Sequence, residues 1–163
     1  MIRIIARFAS LLLPLALTAC TVETREEHTF GECQPISNAP ELAYTELSIG
    51  GDFVSQQVNA VLTSQADLDA FTTAHDVTLS GSFDFATDQI LVASTGALGT
   101  CGLSTPVVSV VDLNGVAHLE LEVTDPSGAC NEVCDMAASV TVAVAVSKGT
   151  DASVCTRLIA TCE

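Results

Sequence analysis

The side chains with the widest chemical repertoire in this sequence are seven cysteines and three histidines. Thiols can form disulfides, bind metal or shuttle electrons, and spacing separates these uses. No Cys-x-x-Cys pair occurs, so a thioredoxin-like redox centre has no motif here. Cys130-Asn-Glu-Val-Cys134 would offer two thiolates to a metal, but no second pair stands at zinc-ligand spacing. The histidines do not converge: His28 lies in a polar stretch, His75 at a helix end and His118 in a strand pattern. Neither Gly-x-Ser-x-Gly, His-Glu-x-x-His nor Gly-x-x-x-x-Gly-Lys is present. Asp67/Asp69 and Asp84/Asp88 come nearest to a calcium site, without the spacing of a calcium loop. The expectation is a protein that is not an enzyme, with no catalytic residue, no metal and no cofactor.

Cys20 has a chemistry of its own. Arg3 and Arg7 give a positive start, and Phe8 to Ala19 follow without a charge. That apolar run is shorter than the ~20 residues a spanning helix needs and suits a secretory signal. It ends in Leu17-Thr18-Ala19-Cys20, which resembles the bacterial lipoprotein box: small residues beside a scissile bond and a thiol to carry a diacylglycerol. The resemblance implies that residues 1–19 are a signal peptide and that Cys20 is lipidated, making a membrane the first partner. Two or more acyl chains hold a protein firmly. Thr21 stands where an Asp would signal inner-membrane retention, which points to the outer membrane of a bacterial envelope.

Six cysteines remain after such cleavage: Cys33, Cys101, Cys130, Cys134, Cys155 and Cys162. An even number in an exported chain reads as a structural disulfide framework. Cys101 sits in a glycine-rich stretch, where a bond to Cys130 or Cys134 would tie two loops. Cys33 then pairs with Cys155 or Cys162. The last two are seven residues apart on one expected strand, so they point to opposite faces and do not bond each other.

Composition narrows the partners. Five Lys and Arg stand against 20 Asp and Glu, a net charge of -15 over 163 residues. No nucleic acid is expected to bind such a surface. Six Phe, one Tyr and no Trp argue against an aromatic-lined cofactor pocket, while 48% hydrophobic residues argue for a packed core. The length suits one domain.

These residues need a scaffold, and the hydrophobic pattern supplies one. Residues 20–41 are rich in Glu and Pro, without hydrophobic period, and read as a lipidated acidic tether whose distal half Cys33 pins to the domain. Residues 42–163 read as a single β-rich domain. Tyr44–Ile49 alternates as a strand and stops at Gly50-Gly51. Ser64 with Asp67 three residues on predicts a capped helix over about 65–74, with Leu68 and Phe71 on one face. Gln89–Ser94 is a short apolar strand. Asn114-Gly115 between alternating runs predicts a two-residue hairpin in which Leu113 faces Val116, Val110 faces Leu119 and Val108 faces Leu121. His118, Glu120 and Glu122 then lie on the outer, solvated face. Val140–Ser147 alternates valine with small residues, so something packs closely over its small face. Val154–Thr161 is the last strand. The fold class is mainly β (α+β): an antiparallel sheet or small sandwich with one short helix, stapled by disulfides.

With the helix placed ahead of Phe83-Asp84-Phe85-Ala86-Thr87-Asp88-Gln89-Ile90-Leu91-Val92, the order of parts resembles the C-terminal domain of PrcB-type lipoproteins over about residues 60–148. The shared parts are a short helix, an Asp-Phe step into a hydrophobic strand, a glycine-containing turn and a hairpin followed by Pro126. The chain departs from that pattern in its cysteines and in Cys101-Gly102-Leu103-Ser104, where members tend to carry Gly-Gly-aromatic. The resemblance implies a binding or stabilising module for an exported protease, with no catalytic residue to carry over. A partner-binding loop at Leu98, Gly99, Leu103 and Ser104, or an exposed strand edge, is the expected contact. A protease inhibitor and a calcium- or metal-dependent surface protein are the alternative functions.

Overall fold

The computed structural model of the protein describes residues 24–51, 56–99, 102–126, 137–149 and 151–162. Eleven strands and one helix follow in the order β1 (Thr24–Gly31), β2 (Tyr44–Gly51), β3 (Gln57–Leu62), α1 (Gln65–His75), β4 (Val77–Ser80), β5 (Asp88–Thr95), β6 (Leu98–Gly99), β7 (Val107–Leu113), β8 (Val116–Asp125), β9 (Ala137–Ala138), β10 (Thr141–Ser147) and β11 (Asp151–Cys162). They form a four-stranded sheet, β1-β11-β8-β7, a five-stranded sheet, β3-β5-β10-β2-β4, and the small pair β6-β9. Pairing is antiparallel except between β8 and β11, which run parallel. Among the described residues no helix is long and apolar enough to cross a membrane.

Period-two alternation sorts the side chains into layers. On β10, Val144 and Val146 join Leu91 and Ala93 of β5 and face Val110, Leu119, Leu121, Val123, Val154 and Leu158 of the other sheet. Ala143 and Ala145 turn the other way with Ile90 and Val92, and meet Leu68 and Phe71 of α1. The small face of β10 therefore receives the helix, as its alanines suggested. Small side chains there let the helix approach, and branched valines fill the space between the sheets.

Local chemistry fixes the helix and the hairpin. The Ser64 hydroxyl accepts from the Asp67 amide at 3.2 Å, and an Asp67 carboxylate oxygen accepts from the Thr63 amide at 3.0 Å. This arrangement satisfies orphan donors at both sides of the cap. The hairpin has the expected register, with Leu113 opposite Val116 and Val108 opposite Leu121. Asn114 and Gly115 take φ of 58° and 91°, the left-handed pair that a type I′ turn requires.

Two expectations are corrected. The first is the tether. Thr24–Gly31 is not a free spacer: it is an edge strand paired along its length with β11, Thr24 opposite Cys162 and Gly31 opposite Cys155. The sheet thus begins at Thr24 rather than at residue 42. At Gly31 (φ 86°) the chain leaves the strand, and a Cβ there would collide with the Val154 carbonyl and the Asn59 amide.

The second concerns the outer face of β8. After Gly31 the chain crosses that face as a strap. Cys33 is bonded to Cys155 of β11, and the far end reaches β7 through Leu42 N–H to Val110 O at 2.9 Å and Asp112 N–H to Pro40 O at 2.8 Å. His118 beneath it has no exposed surface, and Glu120 is also buried. The alternation of faces is as expected, but the polar face lies between a sheet and a strap instead of in water.

Candidate functional site

The polar residues of β8 and β11 that share the covered face form one seam. Parallel register sets Ser153 beside His118, Cys155 beside Glu120 and Arg157 beside Glu122. The His118 ring Nδ1 lies 2.7 Å from the Ser153 hydroxyl, and its Nε2 lies 3.9 Å from Glu120, too far for a hydrogen bond. Nε2 is buried without a hydrogen-bond partner. Glu120 accepts instead from Arg157 Nε at 3.2 Å, and the guanidinium also binds Glu27 of β1. Arg157 therefore joins the edge strand to the interior of the sheet.

Electrostatics follow from this geometry. Burial pushes the His118 pKa below its ordinary value of 6.5, and the negative charges of Glu120 and Glu32 only partly oppose it. The imidazole is thus held neutral at pH 7. The hydrogen bond that Arg157 donates to the Glu120 carboxylate raises the Arg157 pKa above the usual guanidinium value. A Ser, a His and a Glu do come together here, an arrangement that the scattered sequence positions did not signal. The hydroxyl sits on a regular strand, and the imidazole has no exposed surface. The seam ties β1, β8 and β11 together.

The expected partner-binding loop is only partly presented to solvent. Leu98 and Leu103 are half-buried and pack against the core between the sheets, whereas Gly99 and Ser104 are exposed. Ser104 is fastened to the end of β8: its amide donates to Thr124 O at 2.9 Å, and its hydroxyl accepts from the Thr124 amide at 3.1 Å. The two leucines are thus partly buried against the core, while Gly99 and Ser104 face solvent.

The carboxylates considered for calcium are engaged locally. Asp67 caps α1, Asp69 accepts from Gln65 at 2.8 Å, Asp84 accepts from the Ala86 amide, and Asp88 accepts from the Asp84 amide. No group of three or more His, Cys, Asp or Glu placed to hold a metal occurs among the described residues. Lys148 clips two loops by donating to Thr63 O at 2.7 Å and Phe85 O at 3.1 Å.

Of the cysteines, Cys33 and Cys155 are bonded, with Cα atoms 4.9 Å apart. Cys20, Cys101, Cys130 and Cys134 lie outside the described residues, as does the side chain of Cys162. The β6–β9 pair sets Leu98 opposite Ala138 and Gly99 opposite Ala137. A groove of about 350 Å³ opens between the strap and β7, lined by Ile36, Leu42, Tyr44, Val108 and Val110 among others.

Comparison of the chain with protein-family models, with curated proteins and with solved structures finds no match.

Proposed function

We propose that this chain is a lipid-anchored bacterial envelope protein whose domain acts as a non-catalytic binding or stabilising module for another exported protein, a protease in the reading that PrcB-type resemblance suggests. The observation that carries the reading is the position of β1 at the edge of the four-stranded sheet. Its eight residues run at the border of the four-stranded sheet with Glu26, Glu27, His28 and Thr29 exposed, and among the described residues no strand pairs with its outer side, where the Phe30 carbonyl accepts from the Asn59 side chain at 2.7 Å. An unpaired edge is the usual site at which a partner extends a sheet. The tie from Glu27 to Arg157 and the bond from Cys33 to Cys155 keep that edge rigid, which lowers the ordering cost of docking. The non-catalytic reading is supported by the covering of His118, and the remaining cysteines are assigned structural disulfides, Cys101 with Cys130 or Cys134.

The test is detergent extraction of the native lipoprotein, affinity capture and mass spectrometry of what is retained. A stoichiometric exported companion that is lost from the double variant Glu26→Lys/His28→Lys, while the Cys33–Cys155 bond still forms, supports the edge reading. A companion retained by that variant refutes the edge, and a preparation containing only this chain refutes the binding module.

A further inference from the structure

We propose that the open side of the two-sheet stack, where β7 faces β2, takes an extended peptide segment of another protein, apolar at its centre and flanked by Lys or Arg. This goes beyond the reading of β1 and stands without it. The two long sides of the stack differ. On one, Asn59 of β3 bridges the sheets: its side-chain amide donates to Phe30 O of β1 at 2.7 Å, and its side-chain oxygen accepts from the Thr156 hydroxyl of β11 at 2.6 Å. On the other, no hydrogen bond joins β7 to β2 among the described residues. Tyr44 is opposite Val146 and Glu46 opposite Val144, so both β2 side chains lie on the face that looks between the sheets. Both are nonetheless exposed, Tyr44 to 39%.

The strap already shows how β7 accepts a strand. Glu41 pairs antiparallel with Val111, the Leu42 amide donates to Val110 O and the Asp112 amide donates to Pro40 O. These bonds place the polar backbone groups of Val110 and Asp112 on the outer side of β7, and period-two alternation puts those of Val108 there as well. The strap leaves β7 after Leu42 and enters β2 at Tyr44. Among the described residues nothing pairs with the outward amide and carbonyl of Val108. The next outward position is Pro106, whose missing N–H suits a sheet edge. The open stretch is short, so pairing to it needs side-chain contacts in addition to main-chain hydrogen bonds.

The groove of about 350 Å³ beside that stretch supplies them. Ile36, Leu42, Tyr44 and Val108 give it an apolar lining that suits one apolar side chain of the incoming segment. Its charge is of one sign. Glu41 lines it and Glu46 stands two residues beyond Tyr44 on the same face of β2, both exposed. Residues 32–51 and 104–113, which carry the strap, β2 and β7, contain no Lys or Arg. Lys148 reaches the neighbouring hollow beside Leu42, but its ammonium is bound to the carbonyls of Thr63 and Phe85. Two exposed carboxylates flanking an apolar groove at an open strand edge select a cationic, extended segment and repel an acidic one.

Tyr44 is the single tyrosine and the protein has no Trp, so native tyrosine fluorescence reads this groove without any substitution. The full chain in dodecyl maltoside micelles is titrated with the peptide acetyl-Lys-Val-Thr-Val-Lys-amide, and acrylamide quenching of Tyr44 is followed. The expected result is saturable protection, with the quenching constant falling about twofold as the ring is covered. Glu41→Gln/Glu46→Gln should weaken the peptide about 3–10-fold. N-methylation of the peptide's central amides should weaken it about tenfold, and this arm needs no altered protein. The same peptide with Glu in place of both lysines should give no protection, and Glu26→Lys/His28→Lys on β1 should leave binding unchanged. No protection by the lysine peptide, equal protection by the Glu peptide, or undiminished binding after N-methylation overturns the β7 site and leaves the β1 edge standing. Loss of binding in the β1 variant assigns the peptide to β1 and overturns the β7 site.

Discussion

Replacing Cys33 and Cys155 together by serine is expected to remove a large part of the domain's stability, and the size follows from topology. The bond joins residues 122 apart in sequence. In the chain-entropy treatment, closing a loop of that length in the unfolded chain removes about 16 cal/mol/K, or about 4.9 kcal/mol at 25 °C. The dependence on length is logarithmic, so further cross-links nested inside the loop alter this by only a few tenths of a kcal/mol. A domain stability of about 5–15 kcal/mol makes the loss a large fraction of the total. With a urea dependence of about 2 kcal/mol per molar, the midpoint should fall by about 2.5 M. The strap adds a local signature. Without the bond it is held mainly by its contacts to β7, so amide exchange should accelerate in β1 and at His118 while Ile90–Ala93 and Ala143–Val146 stay protected. The His118 pKa should also move back towards 6.5 as water reaches the ring, which proton NMR reads directly. A midpoint shift below about 0.5 M, or unchanged exchange in β1 and at His118, would refute both the loop argument and the strap's role in covering the seam.

Three other outcomes are expected. Arg157→Met strands the buried Glu120 carboxylate and should cost about 3 kcal/mol, much of it recovered in the Arg157→Met/Glu120→Gln double variant; a denaturant double-mutant cycle measures the coupling, and additive losses would count against the pair. His118 has a depressed pKa in the folded chain, so the unfolded chain binds the extra proton first, and stability should decline as pH falls below about 6.5 with a slope of at most about 1.4 kcal/mol per pH unit. His118→Leu should flatten that window between pH 7 and 5, and an unchanged profile by thermal melts would show that other groups carry it. Ser64→Ala removes the acceptor of the Asp67 amide and should cost about 1 kcal/mol by urea unfolding, with Ser64→Asp restoring most of it.

Short-range physics is what the sequence by itself determined. Asn114-Gly115 adopts positive φ cheaply, so the hairpin and its register could be read from two residues and the alternation around them. Ser64 and Asp67 marked the start of α1, and the valine and alanine faces of β10 announced that a large layer lies on one side and a close one on the other. The even number of cysteines left for the exported chain announced a disulfide framework without fixing its connectivity, with Cys155 or Cys162 expected for Cys33 once Cys101 was paired with Cys130 or Cys134.

The rest was decided by contacts distant in sequence. β1 was invisible because a strand at a sheet edge with exposed side chains has no alternation to show; its pairing with β11, over a hundred residues away, makes it a strand. That same register puts Gly31 opposite Cys155 and so selects Cys155 as the partner of Cys33. The parallel run of β8 beside β11 brings Ser153 to His118 and Arg157 to Glu120. Alternation tells which residues share a face, and His118, Glu120 and Glu122 do share one. It cannot tell whether water or a strap of the same chain covers that face, because polar residues that find partners under cover look in sequence like polar residues in solvent.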